Sequence, residues 1–288
     1  MADLNENQYD ENKTEITENE EEVLEEEVLE EESFGFIDKF IGIFTEPVSV
    51  FKNIMKNGVK FSDWFVPIIF VAVFAILANY MMLRDPEIKA QFVEQQMTRM
   101  EKMFDSMASN PNMTKKDIEA TKEKTLESLE KNSGSLMSSA FGLLGALIVI
   151  TLIVLLLSLY FFLCAKLFFK SQAGYKEVLG VYASSMYVSV LGIIAYLIAG
   201  MLLTKFMQGF DVASLIGQDK STFVGFLLSR LDIFTIWFYI LLSIGLATIS
   251  NSENRGKFYG LVFGSWIGWS FIWHLVVSAV PFLANFGG

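Results

Sequence analysis

The sequence predicts an all-α integral membrane protein: a five-span transmembrane helix bundle with an extramembrane helical hairpin and a disordered acidic amino-terminal tail. Three observations predict it. Of the 288 residues 52% are hydrophobic, more than a soluble domain usually carries. Five stretches free of Asp, Glu, Lys and Arg each reach the roughly 20 residues that a helix needs to cross about 30 Å of hydrocarbon. Within them Ile, Leu, Val, Phe, Ala and Gly follow no period of two, which argues for helices against the alternating strands of a transmembrane barrel.

Residues 1–33 form the first unit. They hold 15 Asp/Glu and one Lys, a net of −14, whereas the rest of the chain holds 21 Lys/Arg and 18 Asp/Glu, a net of +3; together these give the −11 of the whole. Such a composition predicts a solvated, disordered tail. Its end, "EEEVLEEEVLEEES", offers Val23, Leu24, Val28 and Leu29 as apolar anchors for docking on a basic partner. The tail lacks the basic start and short apolar core of a secretory signal, so the first span is expected to act as an uncleaved anchor.

Residues 34–63 read as interfacial amphipathic helices. Phe36, Ile37, Phe40, Ile41 and Phe44 recur at helical spacing, "TEP" interrupts, and Pro47 suits the first turn of a second helix carrying Val50, Phe51, Ile54 and Met55. Packing under the bundle fits the same pattern equally well.

Residues 64–288 form the membrane domain, with spans at about 64–83, 138–163, 179–203, 232–250 and 259–281. Between the first two lies a helical hairpin insert, 85–135. Asp85 before Pro86 predicts a capped helix start, "NPN" at 110–112 a break, and Thr114 with Asp117 a second cap. Met97, Met100, Met103 and Met107 share one side of the first hairpin helix. Soft thioethers suit Cu(I), but no His or Cys assists them, so a flexible contact face is expected and no metal or cofactor. Five spans put the termini on opposite sides. Nine basic residues (Lys39, Lys52, Lys56, Lys60, Lys166, Lys170, Lys176, Arg255 and Lys257) crowd the amino-terminal side near the membrane, which places that terminus in the cytoplasm.

Chemistry inside the spans is sparse. One Cys and one His exclude an internal disulfide, a cysteine-clustered metal centre and a His-rich site. No paired carboxylates, phosphate-binding glycine loop or metal-ligand spacing occurs, so no catalytic residues and no enzyme are expected. Cys164 reads as an apolar filler, with acylation as its alternative. Gly256, Gly260, Gly264 and Gly268, spaced by four, predict a thin helix-packing face in the fifth span, opposite Trp266, Trp269 and Trp273. His274 lies on the glycine side. With Asn79, Arg230 and Asp232 it forms a candidate intramembrane polar cluster near the outer leaflet, either an ion- or proton-responsive site or structural hydrogen bonding. Thr151, Ser158, Ser184, Ser185 and Ser189 supply either a polar path or packing bonds. The candidate partners are the lipid bilayer, a cytoplasmic protein on the tail and a second copy of the chain, with no nucleic acid.

Several stretches in order resemble the Yip family, the Ypt-interacting-protein-like membrane domain: "FTEPVSVFKNI" followed by Trp64 and Pro67, "LFFKSQAGYKEVLGVYASS", and "LSRLDIFTIWFYILLSIGLATIS" at 228–250. The resemblance covers about 44–275. It implies a compact five-helix bundle with a cytosolic amino terminus, and in the eukaryotic branch binding to prenylated Rab-type GTPases. "SDWFVP" at 62–67 departs from that branch, and the 52-residue loop 84–135 resembles the prokaryotic one, which implies a bacterial plasma membrane. The function expected is a non-enzymatic multi-pass scaffold or adaptor whose acidic tail recruits a partner. A small-solute or ion permease using the outer-leaflet cluster is the alternative.

Overall fold

In the computed structural model, described over residues 34–108, 115–132, 136–218, 220 and 222–279, the chain is helical and no strand occurs among those residues. Two short helices come first, α1 (Phe36–Thr45) and α2 (Pro47–Asn57), then α3 (Phe61–Met82). The paired α4 (Pro86–Ala108) and α5 (Lys115–Asn132) precede the 34-residue α6 (Leu136–Phe169). After α7 (Tyr175–Ser185) and α8 (Tyr187–Leu202) come two small helices, α9 (Val212–Ile216) and α10 (Phe223–Ser229). The chain closes with α11 (Ile233–Ile249) and α12 (Gly256–Ala279). The tail 1–33, the break at 110–112, the cap at Thr114 and the side chains of Met103 and Met107 lie outside the described residues.

Three helical stretches are long and apolar enough to cross a membrane: Phe61–Met82, Phe141–Phe169 and Tyr175–Leu202. Ile233–Ile249 is apolar but shorter. The third stretch is expected from its composition to be one helix, yet it is broken at Met186 into α7 and α8. No proline causes this. Ser185 Oγ donates to the Val181 carbonyl at 2.8 Å, a back-bond of the kind that bends helices.

The core is organised around α7. Every residue from Val178 to Ser185 is buried, among α3, α6, α11 and α2. Such all-round burial requires neighbours to come close, and two glycines permit it. A methyl group on Gly180 would lie 3.0 Å from Val59 and 3.4 Å from Ile54. One on Gly245 of α11 would collide with Val181 and lie 3.0 Å from the Phe51 ring. Phe51 and Ile54 are fully buried, so α2 is packed between α7 and α11. Burying a Phe side chain stabilises by about 1.5–3 kcal/mol.

Helix α1 lies across the neighbouring helices through one row of rings. Phe36 meets Phe70 at 6.0 Å, Phe40 meets Tyr187 at 5.0 Å and Phe44 meets Trp237 at 5.7 Å between centroids. These partners belong to α3, α8 and α11, so α1 ties three helices together. Lys39 Nζ reaches Asp63 Oδ1 at 2.8 Å, while Asp63 Oδ2 accepts from the Lys60 amide at 2.9 Å and caps α3. The outer side of α1 exposes Ile37 and Ile41. A second core, Ala78, Met82, Ile88, Ile193, Tyr196, Phe206 and Met207, joins α3 and α8 to the start of α4 at the other end of the bundle.

This arrangement separates two glycine substitutions. Gly245→Ala overpacks the α7 contact and should destabilise the full-length protein by about 1–3 kcal/mol, whereas Gly260→Ala meets open space within a helix and should leave stability unchanged or raise it by up to about 1 kcal/mol. Reversible unfolding in mixed micelles measures both, and equal effects would contradict the packing described.

Candidate functional site

Polar side chains converge at the end of the bundle where α3 and α8 finish and α11 begins. Thr204, in the left-handed region at φ 47°, turns the chain out of α8. The Gln91 side chain of α4 then holds it as a backbone neighbour would: Nε2 donates to the Thr204 carbonyl at 2.9 Å and Oε1 accepts from the Phe206 amide at 3.0 Å. Further on, Asp211 and Asp232 face each other in an isolated antiparallel bridge, with the Val212 amide donating to the Leu231 carbonyl at 3.2 Å.

The two aspartates have different surroundings. Asp211 is buried, caps α9 through the Ser214 amide, and accepts from Ser214 Oγ at 2.7 Å and Lys220 Nζ at 2.8 Å. Burial alone would raise its pKa; the bonds from Lys220 and Ser214 outweigh that and hold the carboxyl below the usual value. Asp232 caps α11. Its Oδ1 accepts from the Phe234 amide at 2.8 Å and the Thr235 amide at 3.0 Å. Beside it lies a cavity of about 130 Å³ between the first turns of α8 and α11 and the segment 208–210.

Of the four residues expected to cluster, two meet at one ring and two bond within their own helices. His274 stacks on the Phe226 ring at 4.5 Å, and the Arg230 guanidinium lies 5.0 Å from the same ring while donating to Ser270 Oγ at 3.3 Å. That brings Arg230 and His274 around one phenylalanine. Asp232 is turned to its own helix, and Asn79 donates to the Ala75 carbonyl within α3 at 2.9 Å. Asp211, Lys220 and Tyr196 are the site residues that the sequence reading missed. For Asp211 a signal existed: Asp-x-x-Ser before a short apolar run is a cap pattern.

The glycine face is also placed differently from expectation. Helix α12 packs on α11, and it does so with its aromatic side: Trp266 lies 4.7 Å and Phe263 6.1 Å from the Tyr239 ring. Gly260, Gly264 and Gly268 are exposed, with no atom within 4 Å of an added methyl group, while Gly256 lies near only the Asn254 side chain. Rings bury more apolar area than a glycine strip does, and the aromatic side is the one that α11 covers. Trp269, by contrast, is 69% exposed. Ser158 is fully buried with no partner for its hydroxyl, and Cys164 is a buried free thiol, as befits a filler.

A family model described as the Yip1 domain matches residues 41–276. The chain belongs to the Yip1 domain family. Neither the comparison with curated proteins nor that with solved structures yields a match. The Yip1 domain match begins inside α1 and ends inside α12, so it includes the second half of α1, all of α2 and the whole segment 203–232.

For Asp211 the sign of the pH effect follows from its depressed pKa. Its contribution is complete above the ordinary carboxylate value of 3.8 and is lost as pH falls through its lower folded value. Cleavage of the segment 205–222 by an acid-active protease should stay low at pH 5 and rise only below about pH 3.8. Lys220→Met should raise cleavage already at pH 5 and flatten its rise on acidification, and an unchanged profile would show that the Lys220 bond does not hold the segment.

Proposed function

We propose that this Yip1 domain protein is a non-enzymatic, multi-pass membrane scaffold that holds an acidic cytoplasmic tail at the membrane surface and recruits a basic protein through it. The reading takes the bundle to cross the membrane five times, with α11 and α12 as the fourth and fifth spans. The amino terminus lies in the cytoplasm and the carboxyl terminus on the opposite side of a bacterial plasma membrane. The observation that carries it is the partition of charge: −14 in the 33 residues that lead into α1, against +3 in all that follows.

The placement of α1 supports it. A helix whose inner row of rings is seated on three others fixes the point from which the tail departs. Ile37 and Ile41 on its outer side suit the boundary between headgroups and acyl chains, and so does Phe61 nearby, at 63% exposure. Lys56, Lys60, Lys170, Lys176 and Arg255 are exposed where α3, α7 and α12 begin and α2 and α6 end. A basic rim of that kind suits an anionic cytoplasmic leaflet. The permease alternative draws on Asn79, Arg230, Asp232 and His274 as one group, of which only Arg230 and His274 are seen to share a contact, on Phe226, while Asn79 and Asp232 bond to their own backbones.

The test compares the full-length protein with a version lacking residues 1–33, each recovered from native membranes in lipid nanodiscs, with companions identified by mass spectrometry. A stoichiometric basic protein present with the tail and absent without it is the expected result. Identical companions, or none with either form, would remove the recruitment reading.

A further inference from the structure

We propose that the cavity beside Asp232 binds a small primary ammonium group, carried either by a phospholipid headgroup of the ethanolamine kind or by a free amine. The cavity wall offers unused bonding capacity. Asp232 Oδ1 takes both amides of the α11 cap, and Oδ2 has no hydrogen-bond partner among the described residues. Ser189, Tyr196 and Thr235 line the same cavity, and among the described residues their hydroxyls have no partner either. Tyr196 is only 8% exposed, whereas Asp232, Ser189 and Thr235 are half-buried. One carboxylate oxygen and three hydroxyls thus border a single space, open to a ligand or to water.

The sign of the ligand follows from charge. A helix start ordinarily attracts anions, but at α11 the amides are already occupied by Asp232, and what remains toward the cavity is carboxylate. The nearby cations are committed elsewhere: Lys220 to Asp211, Lys205 to the Ser214 carbonyl, and Arg230 to Ser270 and the Phe226 face. An ammonium carries three donors, which match one carboxylate oxygen and two hydroxyls.

The class of cation follows from the walls. Phe210 and Phe234, 5.8 Å apart edge to face, line the cavity together with Tyr196, and aromatic faces favour organic ammonium groups. A bare metal ion would leave most of the 130 Å³ to water, which takes about 30 Å³ per molecule. A headgroup-sized amine fills it. The cavity also lies within three residues of Met186, where the third long apolar stretch is interrupted, and interrupted spans recur at binding sites in membrane proteins.

The experiment uses full-length protein in nanodiscs of phosphatidylglycerol alone and follows its thermal unfolding midpoint. One arm titrates free ethanolamine; a second replaces part of the lipid with phosphatidylethanolamine. Sodium chloride and tetramethylammonium chloride at equal ionic strength serve as controls. A saturable rise in either arm, absent with both controls, is expected, and the arm that responds names the source. Asp232→Asn keeps the helix cap, because an Asn oxygen accepts the same amides. It should raise the half-saturating concentration by about tenfold or more, and Tyr196→Phe should weaken binding without unfolding the protein. The proposal is overturned by a rise that either control reproduces, by a response that survives Asp232→Asn, or by no response in both arms.

Discussion

Everything in this bundle depends on the close approach of α7 to its neighbours. A helix buried on all sides has no face to turn to lipid or water, so its position is set wholly by what surrounds it. Two of those contacts run through glycines: Gly180 accepts Val59 and Ile54, and Gly245 accepts Val181 and Phe51. Two of the three contacting residues at these positions outside α7 itself, Ile54 and Phe51, come from α2, which precedes the first long apolar helix in the chain. The bundle therefore closes only around a segment that does not itself cross it. This also explains why the family match reaches back into α1 and does not start at the first span.

The two ends of the molecule solve the problem of polar groups differently. Where α3 begins, one ion pair does two jobs, since Asp63 caps its helix with one oxygen and holds Lys39 of α1 with the other. At the opposite end the polar groups are distributed. Asp211, Lys220 and Ser214 form one closed set, Arg230 and His274 another around Phe226, and Gln91 a third on the backbone of the connecting segment. Most of these groups are paired locally, although Arg230 Nε is buried with no partner among the described residues. Low-dielectric surroundings make an unpaired group costly, and local pairing is the shortest way to avoid that cost. Asp232 commits one oxygen to its helix cap and leaves the other toward the cavity.

Composition made the helices legible, because charge-free runs of twenty or more residues leave few other structures for them. The start of α4 was equally legible: Asp85 Oδ1 accepts from the Glu87 and Ile88 amides, as an aspartate before a proline would suggest. The break at Met186 was not, since Ser-Ser-Met lacks any residue that forbids a helix. Nor was the orientation of α12. A helical wheel shows which residues share a side, but not which side a neighbour covers, and Trp266 and Phe263 took the contact that the glycines seemed suited for. Equal depth along neighbouring helices likewise says nothing of direction around each axis: Asn79 and Asp232 turn to their own backbones, while Arg230 and His274 meet on Phe226.

The fastening of α4 has a mechanical consequence. Ile88, Gln91 and Phe92 hold its first two turns to the segment after α8, through the Gln91 bonds and the 5.1 Å contact of Phe92 with Phe206. The helix then runs on to Ala108, about 24 Å further at 1.5 Å per residue. It is a lever with a short clamped arm and a long one that carries α5, to which Glu101 is tied through Lys122. A rotation at its root too small to disturb a single hydrogen bond becomes a displacement of several ångströms at its far end. Any rearrangement of the segment 203–210 would therefore be read most easily not where it happens, but at the remote tip of the hairpin.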